Sequence, residues 1–189
     1  MRRRARIVLS PASSRIPCQD GSSALRLLVV AVGRLKNGPE RDLTARYRER
    51  AAALGRSLGV TACDLPEIPE SRARRAADRV AEEAEAILSL IPADAALIAC
   101  DERGRSDWPS ERLAARIGDW RDAGRPALAF VIGGADGLHE RVRSRADHIL
   151  AFGAATLPHG LVRVLVLEQA YRTLTILAGH PYHRGDPDA

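Results

Sequence analysis

The chain is predicted to fold as a single α/β domain, a parallel sheet flanked by helices. Short runs of consecutive apolar residues alternate with longer stretches at helical spacing, and such alternation is how βα units with a buried parallel sheet read in sequence. The runs end in polar turns, several of them bearing glycine. At 189 residues with a 46% apolar share, the chain has the length of one domain and enough apolar mass for one core.

Taken in order, Leu27–Val32 is a continuous apolar run ended by Gly33, and reads as a buried strand. From Pro39 to Ser57, the residues Leu43, Tyr47, Ala51 and Leu54 fall at helical spacing, closed by Gly55 and Gly59. Val60–Ile68 is a second strand candidate, interrupted by Pro66 and so expected near an edge. Ser71–Ile91 is the clearest helix, with Val80, Ala84, Ile87, Leu88 and Ile91 on one face, Ser71 as its cap and Pro92 as its stop. Ala95–Asp101 is a third buried strand leading into the turn Glu102-Arg103-Gly104. The helix Pro109–Ala123 turns Leu113, Ile117 and Trp120 inward and stops at Gly124. Ala127–Ile132 is a strand that runs into Gly133-Gly134-Ala135-Asp136-Gly137, followed by a short polar helix. His148–Phe152 is the next strand candidate, and Leu161–Ala178 a last, strongly apolar helix ended by Gly179.

Residues 1–24 stand apart. They are rich in Arg, Ser and Pro, and Ile7-Val8-Leu9 is too short for the apolar centre of a secretory signal. They are expected to be a disordered extension or an upstream start. Arg2, Arg3, Arg4, Arg6 and Arg15 against Asp20 give this segment +4 of the net +5, leaving +1 for residues 25–189. A generally basic, nucleic-acid-attracting body is therefore not indicated, and RNA contacts must come from local patches. No apolar run approaches the roughly 20 residues of a membrane helix, so no membrane partner is expected. Cys18, Cys63 and Cys100 are odd in number and form no CxxC pair, which fits a reducing cytoplasm and leaves no zinc site.

Open α/β sheets bind ligands at the carboxyl ends of their strands. Three loops qualify here: Cys100–Gly104, Gly133–Gly137 and Phe152–Gly160. The glycine turn reads equally as a tight strand-to-helix turn or as a ligand loop. Its spacing is not GxGxxG, and no P-loop lysine follows. The five histidines make no HExxH and no metal pattern with cysteine, and GxSxG is absent. Cys100 reads as a small core residue, and Asp101 and Glu102, adjacent on a strand, do not make an acid pair. In the last helix Glu168 and Arg172 lie one turn apart and can pair. Arg163 and Arg172 read first as solvated or dimer-face charges. The tail His180-Pro181-Tyr182-His183-Arg184 combines a stacking ring with phosphate donors, the residue types that hold single-stranded RNA, although chain ends usually fray.

LLVVAVGRLK, FVIGGADGLH, TLPHGLVRVLVLEQAYR and GHPYHR, in that order from about Leu25 to Arg184, resemble the RlmH family of SPOUT-class 23S rRNA pseudouridine N3-methyltransferases. The resemblance implies a methyltransferase domain over 25–184 with a C-terminal trefoil knot, leaving 185–189 as a polar tail. It also implies a homodimer, an S-adenosyl-L-methionine cofactor, no metal, and 23S rRNA in the assembled 70S ribosome as substrate. Carried over by position, the cofactor residues are Cys100, Gly133, Phe152, Gly153, Ala154, Ala155, Thr156 and Leu157. Those for RNA are His159, Tyr182, His183 and Arg184. Arg172, Arg163, Glu168 and His183 are the candidates for catalysis, the arginines stabilising negative charge and Glu168 or His183 accepting a proton. Many relatives have leucine at position 100, and relatives typically begin with Met where this chain has Leu25. A non-enzymatic ribosome-binding factor and a tRNA methyltransferase remain the other readings.

Overall fold

The computed structural model describes residues 24–182. The expected extension, the tail 185–189, Cys18, His183 and Arg184 lie outside the described residues, apart from Ala24 at the boundary. Six strands, β1 Leu25–Val32, β2 Val60–Asp64, β3 Glu67–Ile68, β4 Ala96–Arg105, β5 Ala127–Ile132 and β6 His148–Leu150, form one sheet in the order β2-β1-β5-β4-β6. The short β3 pairs with β1 beyond β2, and every pairing is parallel, as the alternation requires.

Five helices cover the sheet: α1 Pro39–Gly55, α2 Ala76–Leu90, α3 Ser110–Asp122, α4 Glu140–Arg145 and α5 His159–Leu177. Side chains alternate across a strand, so β1 supplies two cores. Leu25, Leu27 and Val29 pack with Ala51 of α1, Ile117 and Trp120 of α3 and Leu167 of α5. Leu28, Val30 and Val32 pack on the opposite face with Ala84 and Ile87 of α2 and Val142 of α4. Strands buried on both faces explain why β1 and β5 read as unbroken apolar runs.

Three expectations need correction. Ser71 does not cap α2, which begins at Ala76. Its N–H donates instead to Glu83 Oε1 at 3.0 Å, and Arg75 occupies the cap position without a side-chain cap bond. The expected strand 60–68 is two strands, broken at Pro66, whose carbonyl accepts from Ala31. Finally, β4 does not stop at Asp101 but runs to Arg105, because after a register shift Arg105 pairs with Leu150 of β6. Gly104 makes that passage feasible: a Cβ there would lie 2.6 Å from the Ile149 carbonyl oxygen. Only a glycine allows two backbones so close.

Candidate cofactor cavity

At the carboxyl ends of β5, β4 and β6, which are neighbours in the sheet, three loops converge on a cavity of about 350 Å³. They are the three loops singled out in the sequence. From β4 come Cys100, Asp101, Glu102 and Arg103; from the glycine turn, Gly133 through Leu138; from the β6 exit, Phe152, Gly153, Ala155, Thr156 and Leu157, with His159 and Val162 of α5 closing the wall. Ala154, named with its neighbours, is exposed and does not line the cavity.

The floor is apolar, with Ile132, Leu138, Leu150 and Leu157 on it. The glycine turn is a tight turn and a cavity wall at once. Gly137 has φ +80, a region glycine favours, and its N–H bonds the Gly134 carbonyl at 3.0 Å. Burial pushes the Cys100 thiol up to about 12, so it stays neutral and serves as apolar lining, not as a nucleophile.

The acids of the rim escaped the sequence reading as site residues. Asp101, its side chain only 6% exposed, faces Arg143 of α4 at 3.6 Å and accepts the Arg103 N–H at 3.0 Å. Asp136 is gripped by both Nε and Nη2 of Arg79, at 2.7 and 3.0 Å, and this hydrogen-bonded pairing holds its carboxyl below the usual carboxylate range. Arg79 is therefore a brace from α2 to the glycine turn, and Glu83 backs the same turn, 3.0 Å from where a Gly134 Cβ would stand. The signal available in sequence was only that Asp101 ends a strand and Asp136 sits between glycines.

Arg163 corrects the expectation of a solvated charge. It is 2% exposed and lines no part of the cavity. Its guanidinium donates to Glu67 Oε1 at 2.7 Å and to the carbonyls of Val32 and Gly33 at 2.7 and 2.9 Å, tying α5 to the carboxyl end of β1. Arg172 behaves otherwise. It is half-buried, donates to Glu168 at 3.0 Å through Nε, and lies 5.4 Å over the Tyr182 ring. Tyr182 donates to the same Glu168 oxygen at 3.3 Å and packs on Tyr171, 4.8 Å between centroids. Burial, then a hydrogen bond with Tyr47, pushes the Tyr182 phenol up to about 12, so it remains a neutral donor. Glu168, Arg172 and Tyr182 thus form one cluster, and none of the three lines the cavity of the same chain.

The model of a family described as predicted SPOUT methyltransferase matches residues 25–183. A ribosomal RNA large subunit methyltransferase H of Methylorubrum populi is 86% identical over 87% of this chain and all of its own length. Its counterpart in Methylorubrum extorquens strain PA1 is 83% identical with the same coverage. That of Bradyrhizobium sp. strain BTAi1 is 62% identical over 85% of this chain and 99% of its own. Carboxyl-end loops gathered at one cavity and a family match from the first strand to the tail agree: the chain belongs to the SPOUT methyltransferases, in the RlmH family.

Proposed function

We propose that this protein, as a cytoplasmic homodimer, transfers the methyl group of S-adenosyl-L-methionine to N3 of a pseudouridine in 23S rRNA on the assembled ribosome. One observation carries the reading: in a chain of a methyltransferase family, three carboxyl-end loops close around a single cavity of fitting chemistry. Ile132, Leu138 and Leu157 offer an apolar slot for an adenine, the backbone at Gly133 and Gly153 allows close approach, and Asp101, Glu102 and Asp136 bring negative charge toward the ammonium and sulfonium of the methionine part. The resemblance adds the trefoil knot.

When bound, the cofactor supplies a methyl group activated by its sulfonium. Pseudouridine N3 lies between two carbonyls, so its N–H is weakly acidic and its loss makes the nucleophile. Arg172 stabilises the negative charge that develops on the base, and Glu168 fixes the guanidinium for that task. The proton passes to Glu168 or to His183. Glu168, Arg172 and Tyr182 do not line the cavity of their own chain, and a second copy that presents them to it is what favours the dimer.

The test is methylation of 70S ribosomes by the wild type and by Arg172→Ala and Tyr182→Ala proteins. Near wild-type rates for both variants would sink the assignment of this cluster. Calorimetry without heat at millimolar S-adenosylmethionine would point to a non-enzymatic ribosome-binding factor. Transfer to tRNA but not to ribosomes would replace the substrate.

A further inference from the structure

Two neighbouring loops at the carboxyl edge of the sheet carry cations that the rest of the fold leaves alone. Arg34 and Lys36 follow β1, and Arg72 and Arg74 lie between β3 and α2. All four are exposed, and among the described residues none of their side chains has a hydrogen-bond, ion-pair or ring partner. Elsewhere arginines are mostly engaged: Arg26 with Asp64, Arg105 with Asp107, Arg121 with Asp122, and Arg50, Arg112 and Arg116 over aromatic rings.

The loops themselves are held firmly. The Gly33 N–H donates to the Ile68 carbonyl at 2.7 Å and the Leu35 N–H to Glu67 at 2.8 Å, which ties the first loop to β3. Ser71 is anchored to Glu83, and Arg79 donates to the carbonyls of Ala73 and Arg74 at 3.1 Å while gripping Asp136 of the glycine turn. One arginine therefore joins the backbone of the basic loop to the cavity wall. The only acid in that loop, Glu70, turns toward Gly33, where its Oε1 lies 3.0 Å from the place of a Cβ, and contributes to the field at Arg163. Like charges on two braced loops oppose folding slightly, and nothing among the described residues pairs with them.

We infer that Arg34, Lys36, Arg72 and Arg74 form a phosphate-binding ledge that seats the backbone of the substrate RNA beside the cavity. The inference rests on the methyltransferase reading above and supplies what that reading lacks, an electrostatic foothold on a body whose net charge over residues 25–189 is only +1. Unpaired guanidinium groups surrender no internal partner when they meet phosphate, and they can do so through two N–H groups at once. Such contacts position an RNA without reading its sequence, as a site that must find one base on a large particle requires.

The experiment compares the full-length protein with a variant in which Arg34, Lys36, Arg72 and Arg74 are all alanine, and with Arg34→Lys/Arg72→Lys/Arg74→Lys. Co-sedimentation with purified 70S ribosomes is measured between about 50 and 200 mM salt, beside KM and kcat for methyl transfer and calorimetry with S-adenosylmethionine. The alanine variant is expected to bind ribosomes roughly tenfold or more weakly and to lose about three units of the log–log salt slope. Its KM rises while kcat and cofactor affinity hold, and the lysine variant keeps the wild-type slope. Unchanged affinity and slope in the alanine variant would overturn the ledge, and so would an equal loss of cofactor affinity, which would make the loops mere supports of the cavity. Should the wild type transfer no methyl group to ribosomes, the methyltransferase reading fails, yet sedimentation still decides the ledge.

Discussion

Replacing Arg163 with methionine separates a structural brace from a catalytic group. Methionine keeps most of the aliphatic volume and deletes the guanidinium. Three acceptors each lose one donor: Glu67 Oε1 and the carbonyls of Val32 and Gly33. Breaking a buried pair from one side costs about 3–5 kcal/mol. The figure is reduced here because Glu67 is 26% exposed and keeps the Leu35 N–H, and because Arg163 Nε, buried without a partner, is removed too. About 2–4 kcal/mol remains, which for a domain of this size lowers Tm by roughly 5–15 °C. Thermal unfolding followed by circular dichroism gives the number, and Glu67→Gln in a double-mutant cycle should show coupling of about 1 kcal/mol or more. A variant with unchanged Tm but abolished methyl transfer would refute the brace and return Arg163 to the chemistry.

Two further predictions concern the glycine turn. In Gly133→Ala the new Cβ would stand 2.8 Å from the Gly137 carbonyl group and 3.1 Å from Leu138 Cδ2, so the turn must open. S-adenosylmethionine affinity by calorimetry should fall roughly tenfold or more, at an overpacking cost of about 1–3 kcal/mol, and equal affinity would contradict the assigned wall. The Asp136 carboxyl is held low by Arg79, so its pairing contributes stability above the ordinary carboxylate pKa of about 4 and loses it as pH falls through the depressed native value. The Tm gap between wild type and Asp136→Asn should therefore be widest near neutrality and narrow in acid. A constant gap would mean that the pair does not carry it.

Where neighbours in sequence decide the structure, the reading from residues held. The apolar runs at β1 and β5, the stripe of α2 and the glycine stop of α3 needed only local information. The three loops of the cavity were legible because carboxyl ends of parallel strands are the places where backbone turns away from the sheet. What escaped was decided across the chain. The carboxylate that buries Arg163 lies 96 positions away, on a two-residue strand behind a proline. The extension of β4 through Arg105 depends on β6, and the late start of α2 on Glu83 and Arg79 holding the loop before it. The cluster of Glu168, Arg172 and Tyr182 was visible only as an i,i+4 pair, and that none of the three lines the cavity could not be read from spacing at all.

The order of strands also sets a timetable for synthesis. β1 emerges first from the ribosome, but its partner β5 arrives about a hundred residues later, at the register Arg26 to Ala127. Until then one whole edge of a strongly apolar strand has nothing to pair with, and β4, made earlier than β5, waits for the same partner. Such long-range parallel pairing is slow and leaves open edges exposed to other chains. The last third of the chain therefore does more than complete the site. Its arrival closes the sheet, and a nascent chain stalled before Ala127 should be a client for chaperones.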